Sequence, residues 1–171
     1  MMHPIKDYVS YLGSYFNDDG FNMMHEDFMG GNVSRETRLL LDVCRQEAPD
    51  FSILLHGGDN CPNHMIPPAY AFGRAMEEAL SLSHRVEARH EEVGLPFAHQ
   101  PNPHLNEANA PLAFNLVSAM HHSCGEPAVT FESNQGLVKE ESRAFTYEEI
   151  YLAHRILFTE VCCQVREKFA K

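Results

Sequence analysis

Apolar residues along this chain fall into two short runs and several longer periodic stretches, separated by clusters of glycine, proline and asparagine. Residues 1–33 show no sustained period. Asn17-Asp-Asp-Gly20 and Gly30-Gly31-Asn32 are turn and break signals within them. Residues 34–48 predict a helix, with Ser34 as N-cap, Glu36 in the first turn and an apolar face of Leu39, Leu40, Val43 and Cys44. Pro49-Asp50 ends it, and residues 51–55 (Phe-Ser-Ile-Leu-Leu) follow at once as a short buried strand. Pro62, Pro67 and Pro68 mark a loop. Residues 69–93 predict a long amphipathic helix whose stripe includes Phe72, Met76, Ala79, Leu80 and Val86, closed by Gly94.

Residues 95–110 hold three prolines and three asparagines and read as a loop. Pro111 suits the first turn of a helix over roughly 111–124, closed by Gly125. Residues 127–132 (Pro-Ala-Val-Thr-Phe-Glu) are a second short buried strand, and 133–145 a polar connection. Thr146-Tyr-Glu-Glu149 is a capping box that opens a C-terminal helix with Ile150, Leu157, Val161 and Val165 on one face. This alternation predicts one α/β domain over residues 1–171, a three-layer α/β/α fold with a mostly parallel or mixed sheet.

Composition narrows the function classes. A chain of 171 residues with 44% hydrophobic and 22% charged residues has enough apolar material for one sizeable core. Its net charge of −11, from 13 Lys+Arg against 24 Asp+Glu with no basic block, speaks against nucleic acid or an anionic membrane as partner. No apolar run approaches the roughly 20 residues that span a bilayer. Cys44, Cys61, Cys124, Cys162 and Cys163 are an odd set without a CxxC pair, which reads as reduced thiols. With an N-terminus that lacks the apolar core of a signal peptide, the expected location is the cytoplasm.

The candidate chemistry sits where the two strands end. The first runs into His56, two glycines, Asp59 and Asn60. Open α/β sheets keep their ligands at such carboxyl ends. His56 there is a metal ligand, an acid/base, or an ordinary strand-end histidine. The second strand ends in Glu132. In a parallel sheet both ends point to one edge, where a carboxylate can take a proton from water and return it to a leaving amine. Asp59, Asn60 and His64 follow His56 and are placed to orient substrate or support a ligand, or serve turn chemistry alone. Neighbouring His121 and His122 diverge by about 100° on a helix and make a poor ligand pair.

The order of these features resembles a known family. An Asn-Asp-Gly turn, a helix opening with Ser34-Arg-Glu-Thr-Arg38, a strand into Leu55-His56-Gly57, a long helix, a helix ending in Cys124-Gly125 and a strand closing on Phe131-Glu132 follow one another. Over roughly residues 15–169 the chain resembles the C-terminal part of a zinc carboxypeptidase (metallocarboxypeptidase) catalytic domain. The resemblance implies a zinc-dependent hydrolase acting on peptide or other amide bonds. It implies that His56 is the third ligand of one zinc ion and that Glu132 is the general acid/base.

The departures from that family are equally specific. Its first two zinc ligands lie in a His-x-x-Glu motif well upstream of the Asn-x-Asp-Gly turn, whereas the sixteen residues before Asn17 hold only His3, with Lys6 three positions on. The ligand set in this chain is therefore incomplete, and the sequence reads as a family member lacking its N-terminal strands. A His-x-x-Glu does occur at His104-Leu-Asn-Glu107, but on the far side of His56. Where the family carries Asn-Arg to clamp a substrate carboxylate, this chain has His25-Glu26, and no arginine precedes Arg35. His25 and His104, with Asp59 and Asn60, are the expected substrate-facing residues, and His99 is another stand-in for the family's missing tyrosine. Two outcomes are expected: a peptidase or amidohydrolase, or an inactive relative that serves as a binding or assembly domain. A sheet cut short would expose an edge, so self-association through that edge is expected as well.

Overall fold

The structure, a computed structural model, describes residues 17, 19–58, 62–98, 114–136 and 143–170. Among them a mixed four-stranded sheet is built from β1 (Ser52–Gly58), β2 (Asn63–Ile66), β3 (Phe97–Ala98) and β4 (Ala128–Asn134), in the order β1-β4-β2-β3. Four α-helices accompany it: α1 (Arg35–Glu47), α2 (Gly73–Glu92), α3 (Leu116–Cys124) and α4 (Tyr147–Phe169). None is long and apolar enough to cross a membrane.

The predicted starts of α1 and α4 agree with their caps, whereas α2 begins at Gly73 rather than residue 69 and α3 at Leu116 rather than near residue 111. The Ser34 hydroxyl accepts from the Thr37 N–H, and the capping box of Thr146 and Glu149 is complete. Gly125 takes φ +79° at the end of α3, a left-handed conformation that glycine reaches without a Cβ penalty. The apolar faces need correction. In α1 the buried residues are Thr37, Leu41 and Cys44, while Leu39 and Val43 stand in solvent. In α2 the buried stripe is Ala75, Ala79, Leu82, Ser83, Val86 and His90, and Phe72 is an exposed N-cap.

One helix pair covers each face of the sheet. Ala79, Leu82 and Val86 of α2 and Ala153, Ile156 and Leu157 of α4 pack with Met65, Val129 and Phe131. On the other face Leu41 and Cys44 of α1 meet Leu116, Ala119 and Met120 of α3, with Leu54 against them. The result is an α/β/α layering. β4 is bonded on both edges and covered on both faces, so all seven of its residues are buried. Buried Glu160 on α4 ties the outer helices together, accepting from Arg85 and Arg89 of α2 at 3.0 Å each.

All four strands differ from expectation. Asn63–Ile66 is a strand rather than loop, antiparallel to β4. It lies between Pro62 and Pro67, where proline punctuation hid it. Phe97–Ala98 is a two-residue strand parallel to β2. Both long strands run two residues past His56 and Glu132, so neither residue is the last of its strand.

Phe131 is the largest fully buried side chain, on a strand with helices over both faces. Phe131→Ala is expected to cost about 3–5 kcal/mol of unfolding free energy. Leu39→Ala, at 57% exposure, is expected to stay within about 0.5 kcal/mol. Urea unfolding of the two variants checks both values.

Candidate functional site

β1 and β4 are parallel and in register, with Leu54 beside Thr130 and His56 beside Glu132. Directly paired residues project from the same face of a sheet. Met65, Phe131 and Val129 belong to the α2/α4 face, so Glu132 and His56 project toward the α1/α3 side. There the His56 Nδ1 and the Glu132 Oε2 lie 2.7 Å apart. The Glu132 side chain is 9% exposed and that of His56 33%. A buried carboxylate needs hydrogen-bond partners to offset its desolvation, and His56 supplies one.

The bond sets the chemistry of the ring. With Nδ1–H donating to the carboxylate, the neutral imidazole presents its lone pair at Nε2. The hydrogen bond from Glu132 raises the His56 pKa above its ordinary 6.5, partial burial opposes the rise, and the nearby carboxylate charge adds to it. Such a pair can act as an acid/base. It also has the form of a metal-ligating histidine steadied by a carboxylate. His56 borders a cleft of about 380 Å³ at the β1 and β4 ends, lined also by Leu55, Gly57, Ser133, Gln135 and His154. Two residues before Glu132 on the same face, the buried Thr130 hydroxyl has no hydrogen-bond partner among the described residues.

Of the residues singled out from sequence, the structure brings together His56 and Glu132. His25 is the exposed last residue of a 3-10 turn (Met23–His25) that packs by Met23 and Met24 against the α1/α3 cluster. No hydrogen bond or ion pair among the described residues joins it to the pair. Its neighbour Glu26 accepts from the Ser34 N–H at 3.0 Å, a structural use for that side chain. Asp59, Asn60, Cys61, His99, His104 and Glu107 lie outside the described residues. His121 Nδ1 donates to the Glu126 carbonyl and His122 Nε2 to the Ala69 carbonyl, so both rings serve structure. Burial lowers the His121 pKa.

Of two further polar residues, His64 stands out in the sequence as part of a loop and His90 does not stand out. His64 lies on β2 directly opposite Glu132. His90 is fully buried on α2; its Nδ1 donates to the Val86 carbonyl and its Nε2 accepts from Asn63, 3.4 Å away. Asn63 in turn accepts from the Asn134 N–H, which ties α2, β2 and β4 into one polar node.

Imidazole and carboxylate are donors that zinc accepts, so the chemistry of the pair suits that ion. Among the described residues, however, no group of three His, Cys, Asp or Glu side chains is placed to hold one. Compared with protein-family models and with curated proteins, the chain matches none.

Two of the three perturbed histidines, His56 and His90, give opposite pH signatures. His56 binds its proton more tightly in the folded state, so its contribution to stability is full below about pH 6.5 and lost as pH rises through the raised folded value. Burial lowers the His90 pKa, so its contribution is lost as pH falls below about 6.5. Glu132→Gln is expected to return the His56 titration midpoint toward 6.5 and leave His90 unchanged, as read by NMR of the imidazole resonances.

Proposed function

We propose that this chain is a zinc-dependent hydrolase domain of the metallocarboxypeptidase type, acting on peptide or other amide bonds. The observation that supports the reading is the juxtaposition of His56 and Glu132 on adjacent parallel strands, 2.7 Å apart. His56 would hold the ion, and Glu132 stands within hydrogen-bond reach of its ring. Bound zinc supplies Lewis acidity to the site. Glu132 would serve as the general acid/base, taking a proton from water and returning it to the leaving amine. With His25-Glu26 in the clamp position, the site is not built to select a free C-terminal carboxylate, which a glutamate would repel.

Metal analysis with hydrolysis assays tests this reading. The protein is expected to carry one zinc that is lost in His56→Ala. Glu132→Gln is expected to retain zinc and to lose hydrolysis by about 10²–10⁴-fold. Zinc no higher than background in the unaltered protein would contradict the reading.

A second reading, as a binding or assembly domain, is supported by the sheet edge. Among the described residues β1 is an edge strand, it carries no Lys, Arg, Asp, Glu or Pro, and Leu55 is 48% exposed. Such an edge lacks the guards that keep strands from pairing with another copy. The exposed rings of Tyr151 and Phe158 line a groove on α4 that reaches the β1 cleft through His154. Light scattering at micromolar concentration is expected to show a dimer or larger species that Leu55→Lys returns to monomer. A monomer before substitution would contradict self-association.

A further inference from the structure

We infer that the outer face of α4 is a self-complementary interface, on which a second copy of this chain seats its own α4 antiparallel about a two-fold axis near Phe158. The dimer rests on the self-association read from the β1 edge and adds the surface that fixes how the two copies face each other.

α4 carries two apolar stripes. Ala153, Ile156 and Leu157 are buried against the sheet and α2, with Glu160 beside them. Tyr147, Tyr151, Phe158 and Phe169 form the other stripe, each between 47% and 88% exposed. At about 100° per residue these four rings fall within a band about 40° wide. A helix that is apolar on two sides is covered on two sides, and exposed rings gathered in one patch mark an interaction surface.

The second stripe faces the β1 edge. Glu160, which meets Arg85 and Arg89 of α2, is about 200° around the helix from Phe158. His154 lines both the groove on α4 and the cleft at β1, so helix face and strand edge are one continuous surface. Two β1 strands paired antiparallel about a two-fold perpendicular to the sheet leave both α4 helices on the same side of it. The helices then run antiparallel and face each other across the axis.

Charge selects a second copy as the occupant. Glu148 and Arg166 lie about five whole helical turns apart, so they share one side of the stripe. Both are exposed, and neither has an ion pair among the described residues. Antiparallel packing brings Glu148 of each copy to Arg166 of the other, twice by symmetry. The midpoint of the two is position 157, which sets Phe158 beside the axis and against its counterpart. Opposed helix dipoles favour the same arrangement. The groove of about 690 Å³ is lined by Arg155 and Arg166 and by no carboxylate among the described residues. A chain of net charge −11 therefore meets itself here without a wall of like charge.

Sedimentation equilibrium at micromolar concentration tests the interface on the unaltered chain, Leu55→Lys, Phe158→Glu, Glu148→Arg, Arg166→Glu and the double variant Glu148→Arg/Arg166→Glu. Circular dichroism checks the fold, which substitutions at these exposed positions are expected to retain. The dimer is expected to weaken about a hundredfold in Phe158→Glu. Each single charge reversal is expected to weaken it about tenfold, and the double variant to return within about threefold of the unaltered chain, because both pairs reform with their signs exchanged. If the Phe158 and single-reversal variants stay within about threefold, or the double variant is as weak as the singles, the antiparallel α4 interface is overturned. The β1 reading then stands on its own if Leu55→Lys yields the monomer. A monomeric unaltered chain overturns self-association itself and the α4 interface with it.

Discussion

The parallel, in-register pairing of β1 with β4 is the constraint on which the site depends. Side chains alternate with a period of two along a strand. A slip of one residue would turn Glu132 toward α2 and α4 and carry Phe131 out of the core. The register is thus set by apolar residues and the site inherits it. Phe131 and Val129 select the α2/α4 face, and Glu132, between those choices, has no alternative but to meet His56.

That arrangement places a carboxylate where the sheet is most covered. β4 is bonded on both edges and buried on both faces, so Glu132 gives up water for protein partners. The hydrogen bond to His56 offsets part of this cost and in return orients the ring and raises its proton affinity. Away from the site, the polar groups serve assembly. Glu160 links α2 to α4, and the node of His90, Asn63 and Asn134 fixes β2 against β4. The second of these holds His64 in its register opposite Glu132.

Much of this was legible in the sequence. Ser34 and Thr146 marked helix starts because capping is local chemistry, and Gly125 marked a stop for the same reason. Two apolar runs ending in His56 and Glu132 suggested that the two would share one edge of a parallel sheet. Register was not legible, because it is fixed by partners distant in the chain. β2 was hidden for a similar reason: four residues between prolines carry no period of their own and become a strand only against β4. The α1 face was misread because Leu39 and Val43 are apolar yet exposed, whereas Thr37 is buried beneath its own cap. Asp59, Asn60 and His104 belong to segments outside the described residues, so their expected roles rest on the sequence alone.

The central claim is that His56, held by Glu132, is a zinc ligand. Crystals soaked in zinc and measured at the zinc absorption edge would locate the ion without reference to activity. The account expects an anomalous peak about 2.0–2.1 Å from His56 Nε2, on the α1/α3 face of the sheet. A peak elsewhere, or none at millimolar zinc with His56 still bonded to Glu132, would contradict it.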